Sequence, residues 1–205
     1  QQLQPHTKIM VCVKANAYGH GLESLAHILP HADGFAVSEL DRAIKLRQGG
    51  FKNTILLMST PGSTYLCEQV AKHQISWVIY SQQQINYLKA YQGDQIITPW
   101  IKMNTGMNRL GFLPHALDQV IDQLTDMPHV TTPGVLMTHL AEAEQTNPGF
   151  SLKQIERFNQ AAKRHPDWQQ SVGNSAAIFN HRTHLGDWVR PGIMVYGSSS
   201  LPSQS

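Results

Sequence analysis

The sequence predicts an α/β fold: a (β/α)8 TIM-type barrel built on residues 1–197. Three observations carry this prediction. Eight short β-branched or aromatic runs alternate with longer, more polar stretches across the 205 residues. Apolar strands in βαβα order with short connections imply a parallel sheet covered by helices. No GxGxxG follows any of these runs, and eight strands suit a closed barrel better than an open doubly wound sheet.

The first strand is expected at residues 9–14. Period-two alternation there puts Met10, Cys12 and Lys14 on one face. A helix follows at 22–29, then a strand at 34–37. Ser38 can cap a helix at 39–48, which Gly49-Gly50 ends in the manner common at helix C-termini. Next come a strand at 55–58, a helix at 63–73, a strand at 77–80, a helix at 82–91 and a strand at 100–103. Pro114 suits the first turn of a helix at 114–126, where its missing N–H costs nothing. The sixth strand is expected at 134–139. Leu152, Ile155, Phe158 and Ala162 recur at helical spacing, so the helix at 151–164 should bury that face. A strand at 170–173, a short helix from Ser175 and a strand at 188–190 complete the set. Only seven helices separate these strands, so closure of the barrel is expected to need residues beyond them. Residues 198–205, rich in Ser, Pro and Gln, read as a tail or linker remnant.

Composition excludes several classes. With 41% hydrophobic and 15% charged residues, a chain of this length can bury a core, which argues against wholesale disorder. The net charge is +2 without a basic block, so neither nucleic acid nor an anionic membrane is an expected partner. No apolar run approaches the roughly 18 residues of a membrane span. The opening Gln1-Gln2-Leu3-Gln4-Pro5 does not resemble a signal peptide. Cys12 and Cys67 form no CxxC pair, so reduced cysteines and a cytoplasmic location are expected. The 11 histidines include His27 and His31, separated by Pro30, and His181 and His184, with no third ligand in view; no metal site is expected.

In such a barrel the reactive groups belong at the C-terminal ends of the strands. Lys14 ends an apolar strand. It is either a desolvated amine suited to nucleophilic work or a lysine that reaches solvent. Asn174-Ser175 opens a helix, and Gly192-Ile193 brings bare backbone N–H groups near it. The pair is either an anion pocket or an ordinary cap and turn. His139 is a candidate ring or proton-handling group, or a hydrogen-bonded core histidine. Arg109, in a Gly-flanked loop, could clamp a carboxylate or lie in solvent. Arg190, between Val189 and Pro191, needs a partner if buried. A lysine suited to a Schiff base together with a phosphate site points to pyridoxal 5'-phosphate.

These segments resemble alanine racemase. Residues 13–21, VKANAYGHG, are similar to that family's cofactor-lysine motif. KMNTGMNRLG from Lys102, MTHLAEAE from Met137, NSAAIF from Asn174 and VRPGIMVYG from Val189 follow in family order. The resemblance implies an isomerase, a fold-type III racemase that uses pyridoxal 5'-phosphate to interconvert L- and D-alanine and supplies D-alanine for peptidoglycan. It implies that Lys14 binds the cofactor covalently and is one of two bases, the one serving the D-enantiomer. Tyr18, Asn174, Ser175, Gly192 and Ile193 would hold the phosphate region. His139 would stack on the ring and touch Arg190, which faces the pyridine nitrogen. Arg109 would contact the substrate carboxylate or the cofactor's phenolic oxygen, and Lys102 could be a carbamate that orients it. Asn104 stands where many members have Asp, which removes a charge from that loop.

The family also implies a homodimer and a C-terminal β-domain that supplies the second base, a tyrosine. Nothing after Tyr196 resembles that domain, and neither Tyr18 nor Tyr196 matches that tyrosine. The chain is therefore expected to be the barrel portion, truncated at both ends, and to be inactive alone. Two other readings stand beside this one. The first is a non-catalytic single-barrel carrier of the cofactor, which the RPGIMVYG and GMNRLG segments disfavour. The second is a Schiff-base aldolase barrel, which needs no pyridoxal phosphate.

Overall fold

A computed structural model describes residues 3, 6–22, 24, 28, 29, 31–199 and 201. Eight parallel strands run as β1 (Lys8–Cys12), β2 (Gly34–Val37), β3 (Thr54–Leu57), β4 (Ser76–Ile79), β5 (Pro99–Lys102), β6 (Val135–Met137), β7 (Gln169–Ser171) and β8 (Trp188–Val189). They form one sheet in the order β7-β6-β5-β4-β3-β2-β1-β8. The helical segments are α1 (Lys14–Tyr18), α2 (Leu40–Gln48), α3 (Thr64–Lys72), α4 (Gln82–Ala90), α5 (Leu117–Thr125), α6 (Gly149–Ala162) and α7 (Ser175–Asn180). Leu22, Ser24 and Ile28 of the helix expected at 22–29 are helical; residues 23 and 25–27, including His27, lie outside the described residues. So do Pro30 and, from the expected tail, residues 200 and 202–205.

This is a nearly closed (β/α)8 barrel. The seam between β7 and β8 has no ladder. It is held by an isolated parallel bridge between Asn174 and Arg190, by Arg190 N donating to Gly173 O at 2.7 Å, and by Ser171 Oγ donating to Trp188 O at 2.9 Å.

Alternation explains both layers of core. Met10, Ala36, Leu56, Val78, Trp100, Val135, Met137 and Trp188 pack against one another inside the barrel. The intervening residues, such as Val11, Phe35, Ile55, Trp77 and Ile101, face the helices. Trp100 and Trp188 meet edge-on at 5.4 Å, and burying an aromatic of this size stabilises by roughly 3–5 kcal/mol relative to Ala. Gly34 makes room for this layer: a Cβ there would lie 2.7 Å from both Met10 Cε and Thr54 O.

The expected strands are real, but several sit one residue too late. Their ladders open on Lys8, Thr54, Ser76, Pro99 and Gln169, which stand just before the apolar runs that mark the strands in the sequence. Two helix expectations are corrected. Ser38 does not cap α2; its N-cap is Glu39 with no side-chain bond, and Ser38 O instead accepts from Thr60 Oγ1 at 2.8 Å. In α6, Ile155, Phe158 and Ala162 are buried, whereas Leu152 is 43% exposed. Gln154 takes the inward place, which an apolar-periodicity rule cannot foresee, because its amide is fully hydrogen-bonded there. Among the described residues, no helix is long and apolar enough to cross a membrane, and no group of three or more His, Cys, Asp or Glu could hold a metal.

Candidate active site

The strand ends converge on one cavity of about 620 Å³. Its lining includes every residue singled out from the sequence: Lys14, Tyr18, Lys102, Arg109, His139, Asn174, Ser175, Arg190, Gly192 and Ile193. They come from the C-terminal ends of β1, β5, β6, β7 and β8, the face on which barrel chemistry is built.

Lys14 lies beyond the strand that was expected to end on it, because β1 stops at Cys12. The chain then winds left-handed, with Ala15 to Tyr18 at φ between 50 and 57° and Gly19 at 91°. For L-residues this costs roughly 1–2 kcal/mol each, so packing must over-determine it. Ala17 is fully buried, Asn16 Oδ1 accepts from Leu22 N at 3.2 Å, and Asn16 O accepts from the Gly19 and Gly21 amides, both at 3.1 Å. The turn follows the strand closely, and Lys14 and Tyr18 line the same cavity. Lys14 Nζ lies 5.8 Å from the Tyr18 ring centre. Of the two readings of Lys14, the structure shows the one that reaches solvent: the side chain is exposed in the open cavity.

Arg190 is 4% exposed and, among the described residues, forms no ion pair with a carboxylate. Nη1 donates to Ser171 O at 2.8 Å and Ser171 Oγ at 2.5 Å, and Nη2 donates to Thr138 O at 2.5 Å. The partner that its burial requires is thus a set of carbonyls and one hydroxyl. Burial pushes its pKa down to about 10, which leaves it charged at neutral pH. His139 is pushed down to about 3, first by burial and then by the charges of Arg190, Lys102, Arg109 and Lys14, so its imidazole is neutral. The influence of Arg190 on His139 is electrostatic; among the described residues no hydrogen bond joins them.

Asn174 Oδ1 caps α7 by accepting from Ala177 N at 2.9 Å. Ser175 Oγ accepts from Gly192 N at 2.8 Å, which ties the loops after β7 and β8 and leaves the hydroxyl proton free to donate. The bare backbone of Gly192 lets Tyr18 Oη approach; a Cβ there would lie 2.8 Å from it and would push the hydroxyl aside. Tyr196 lies outside the lining. Its hydroxyl donates to Cys12 O at 3.0 Å and its ring packs 4.8 Å from Tyr18; burial pushes its pKa up to about 12.

Four cations (Lys14, Lys102, Arg109 and Arg190) and one carboxylate, Glu144, line the cavity, so its electrostatics favour an anion. Sequence reasoning missed Glu144, although it lies inside the quoted MTHLAEAE segment, and missed Ser171 and Thr138. Ser171 stands two residues before Gly173 on the inward face, and that alternation was the available signal.

Lys102 follows the same electrostatics. Burial, then Arg190 and Arg109, push it down to about 8. Between that value and its unfolded 10.5, the unfolded chain holds the extra proton, so this lysine makes stability rise with pH across that window. Cys12 and Cys67, both raised by burial, act in the opposite direction above pH 9. Denaturant unfolding at pH 7.5 and 9.5 should therefore give a more positive pH slope for wild type than for Lys102→Met. Equal slopes would contradict the burial of this amine.

Comparison with known proteins agrees with this arrangement. The family model described as alanine racemase, N-terminal domain, matches residues 1–200. An alanine racemase of Shewanella loihica is 36% identical over 201 residues, covering 98% of this chain and 56% of that protein. The biosynthetic alanine racemase of Escherichia coli is 34% identical over 205 residues, covering 100% of this chain and 57% of that protein. The crystal structure of the biosynthetic alanine racemase of Pseudomonas aeruginosa superposes with a TM-score of 0.91 at 34% identity, covering 98% of this chain and 56% of that one. The chain thus spans a little over half the length of the relatives it matches.

Proposed function

This chain belongs to the alanine racemase family, matching its N-terminal domain, and from that premise we propose that it is the part of a pyridoxal-phosphate-dependent racemase that binds the cofactor and carries one of two bases. The observation that carries the reading is convergence: Lys14, His139, Ser175 and Arg190, from four strand ends, line one anion-attracting cavity.

The residues fit the group. Ser175 Oγ–H, the Asn174 side chain, Tyr18 and the backbone at Gly192 and Ile193 would hold its phosphate, and the missing Cβ of Gly192 keeps a backbone wall open beside Tyr18 Oη. When bound, the cofactor supplies an electron sink that acidifies the α C–H of an amino acid. Lys14 Nζ would hold it covalently and, as a free amine, would take or return the α-proton on one face. His139, neutral, offers its ring for stacking without competing for protons. Arg190 presents N–H groups to the pyridine nitrogen but keeps its own proton. A guanidinium at this place would donate no proton to a ring nitrogen, which would keep the electron sink weak and favour rapid return of the α-proton. Arg109 binds the substrate carboxylate. The depressed amine of Lys102 is suited to react with carbon dioxide, giving a carbamate that orients Arg109.

For the whole protein we propose alanine as substrate, a cytoplasmic homodimer, D-alanine supply to peptidoglycan, and a second base from outside these residues. With pyridoxal phosphate added in deuterium oxide, this chain should exchange the α-hydrogen of D-alanine. It should exchange that of L-alanine far more slowly, because Lys14 reaches one face only. Equal exchange of both enantiomers, or none with D-alanine, would overturn the half-site reading. Gly192→Ala should raise the cofactor's dissociation constant by about tenfold in an absorbance titration, since the new methyl meets Tyr18 Oη inside van der Waals contact. Unchanged affinity would contradict the phosphate cradle.

A further inference from the structure

Gln154, on α6, has no exposed surface. A buried amide is costly unless its polar atoms are bonded. Here Nε2 donates to Thr105 Oγ1 and to His139 O, both at 3.3 Å, and Oε1 accepts from Ala141 N at 2.9 Å. These partners belong to two different loops. Thr105 follows β5, four residues before Arg109, whereas His139 and Ala141 follow β6.

The contacts continue on both sides of the amide. Thr105 Oγ1 lies 2.8 Å from Thr138 Oγ1, which donates to Met103 O at 3.0 Å. Arg157 Nη1, one turn further along α6, donates to Thr105 O at 2.9 Å. The carbonyl of Thr138 accepts from Arg190. Gly106, at φ 148°, lets the loop pass close to the helix; a Cβ there would meet Phe150 Cζ at 3.2 Å and both Gln154 Cγ and Arg157 Nη1 at 3.3 Å.

We propose that Gln154 is a positioning residue: from outside the barrel it locks the His139 segment to the loop carrying Arg109 and, through Thr138, to Arg190, so that the ring-facing and substrate-facing groups are set as one unit. Gln154 touches neither cofactor nor substrate. The inference rests on the cofactor reading above, and its test separates the two.

Pyridoxal phosphate is titrated into wild type, Gln154→Met, Thr105→Val and the double variant, with thermal unfolding measured alongside. Phe158→Leu, on the same helix but in the apolar core, is the control for lost stability alone. Gln154→Met should raise the dissociation constant about tenfold, Thr105→Val should raise it less, and the double variant should match Gln154→Met. Phe158→Leu should lower the melting temperature and leave the constant unchanged. Should Gln154→Met not fold, the rise in Thr105→Val alone decides. Wild-type affinity in a folded Gln154→Met, or additive effects in the double variant, would overturn the positioning role. If wild type takes up no pyridoxal phosphate, the cofactor reading falls, and amide hydrogen exchange judges the strut instead. Gln154→Met should then accelerate exchange at Ala141 and across residues 104–111 together; acceleration at Ala141 alone would overturn it.

Discussion

Lys14→Ala should abolish covalent capture of pyridoxal phosphate and slow deuterium exchange at the α-carbon of D-alanine by about 10³-fold or more, the scale on which a positioned base acts. Stability should change little, because the side chain is exposed and its contact with Tyr18 is a ring contact at 5.8 Å. The sharpest comparison is Lys102→Met. Lys102 is the other lysine of the cavity and, with its pKa pushed down to about 8, is partly uncharged at neutral pH. If basicity alone selected the amine, Lys102 would capture the cofactor. If position selects it, Lys14 does, because the left-handed turn after β1 aims it from the edge of the cavity beside Tyr18 and the Ser175–Gly192 tie. Capture that survives Lys14→Ala and disappears in Lys102→Met would reverse the assignment.

Arg190→Glu should change the reaction as well as its rate. A guanidinium keeps its proton, whereas a carboxylate at this place can share one with the pyridine nitrogen and strengthen the electron sink. The expected sign is a long-wavelength absorbance that accumulates with D-alanine on this chain, and in the whole protein a fall in net racemisation. The same substitution carries a structural cost. The guanidinium donates to Ser171 O, Ser171 Oγ and Thr138 O, and a carboxylate would face the two carbonyls with no donor to offer. Leaving buried acceptors without a donor costs about 1–3 kcal/mol each, so the melting temperature should fall as well. The spectrum is therefore read on protein shown to be folded and loaded. An unchanged spectrum on such protein would contradict the role given to Arg190.

Much of this architecture was legible in the amino acids. Strand identity and order followed from short apolar runs separated by helical stretches, because a parallel barrel buries both faces of its strands. The residues lining the candidate site were legible because a barrel gathers the segments that follow its strands, and Lys14, Lys102, His139, Asn174 and Arg190 all stand at or just past strand ends. The left-handed turn was not legible. Ala15, Asn16, Ala17 and Tyr18 include no glycine, and their backbone is held by contacts made elsewhere, at Leu22 and Gly19. The end of β1 was misjudged for the same reason, since alternation was carried two residues past Cys12, and it left the exposure of Lys14 open. Gln154 and Ser171 were missed because a buried polar residue shows its purpose only through partners distant in sequence. Ser171 meets Arg190 across the seam, and Gln154 meets Thr105 and His139 across two loops.

The most direct measurement is borohydride reduction of the protein equilibrated with pyridoxal phosphate, followed by peptide mapping by mass spectrometry. The account predicts one reduced cofactor adduct per chain, on the peptide carrying Lys14. An adduct on Lys102, a scatter over surface lysines, or no adduct at all would contradict it.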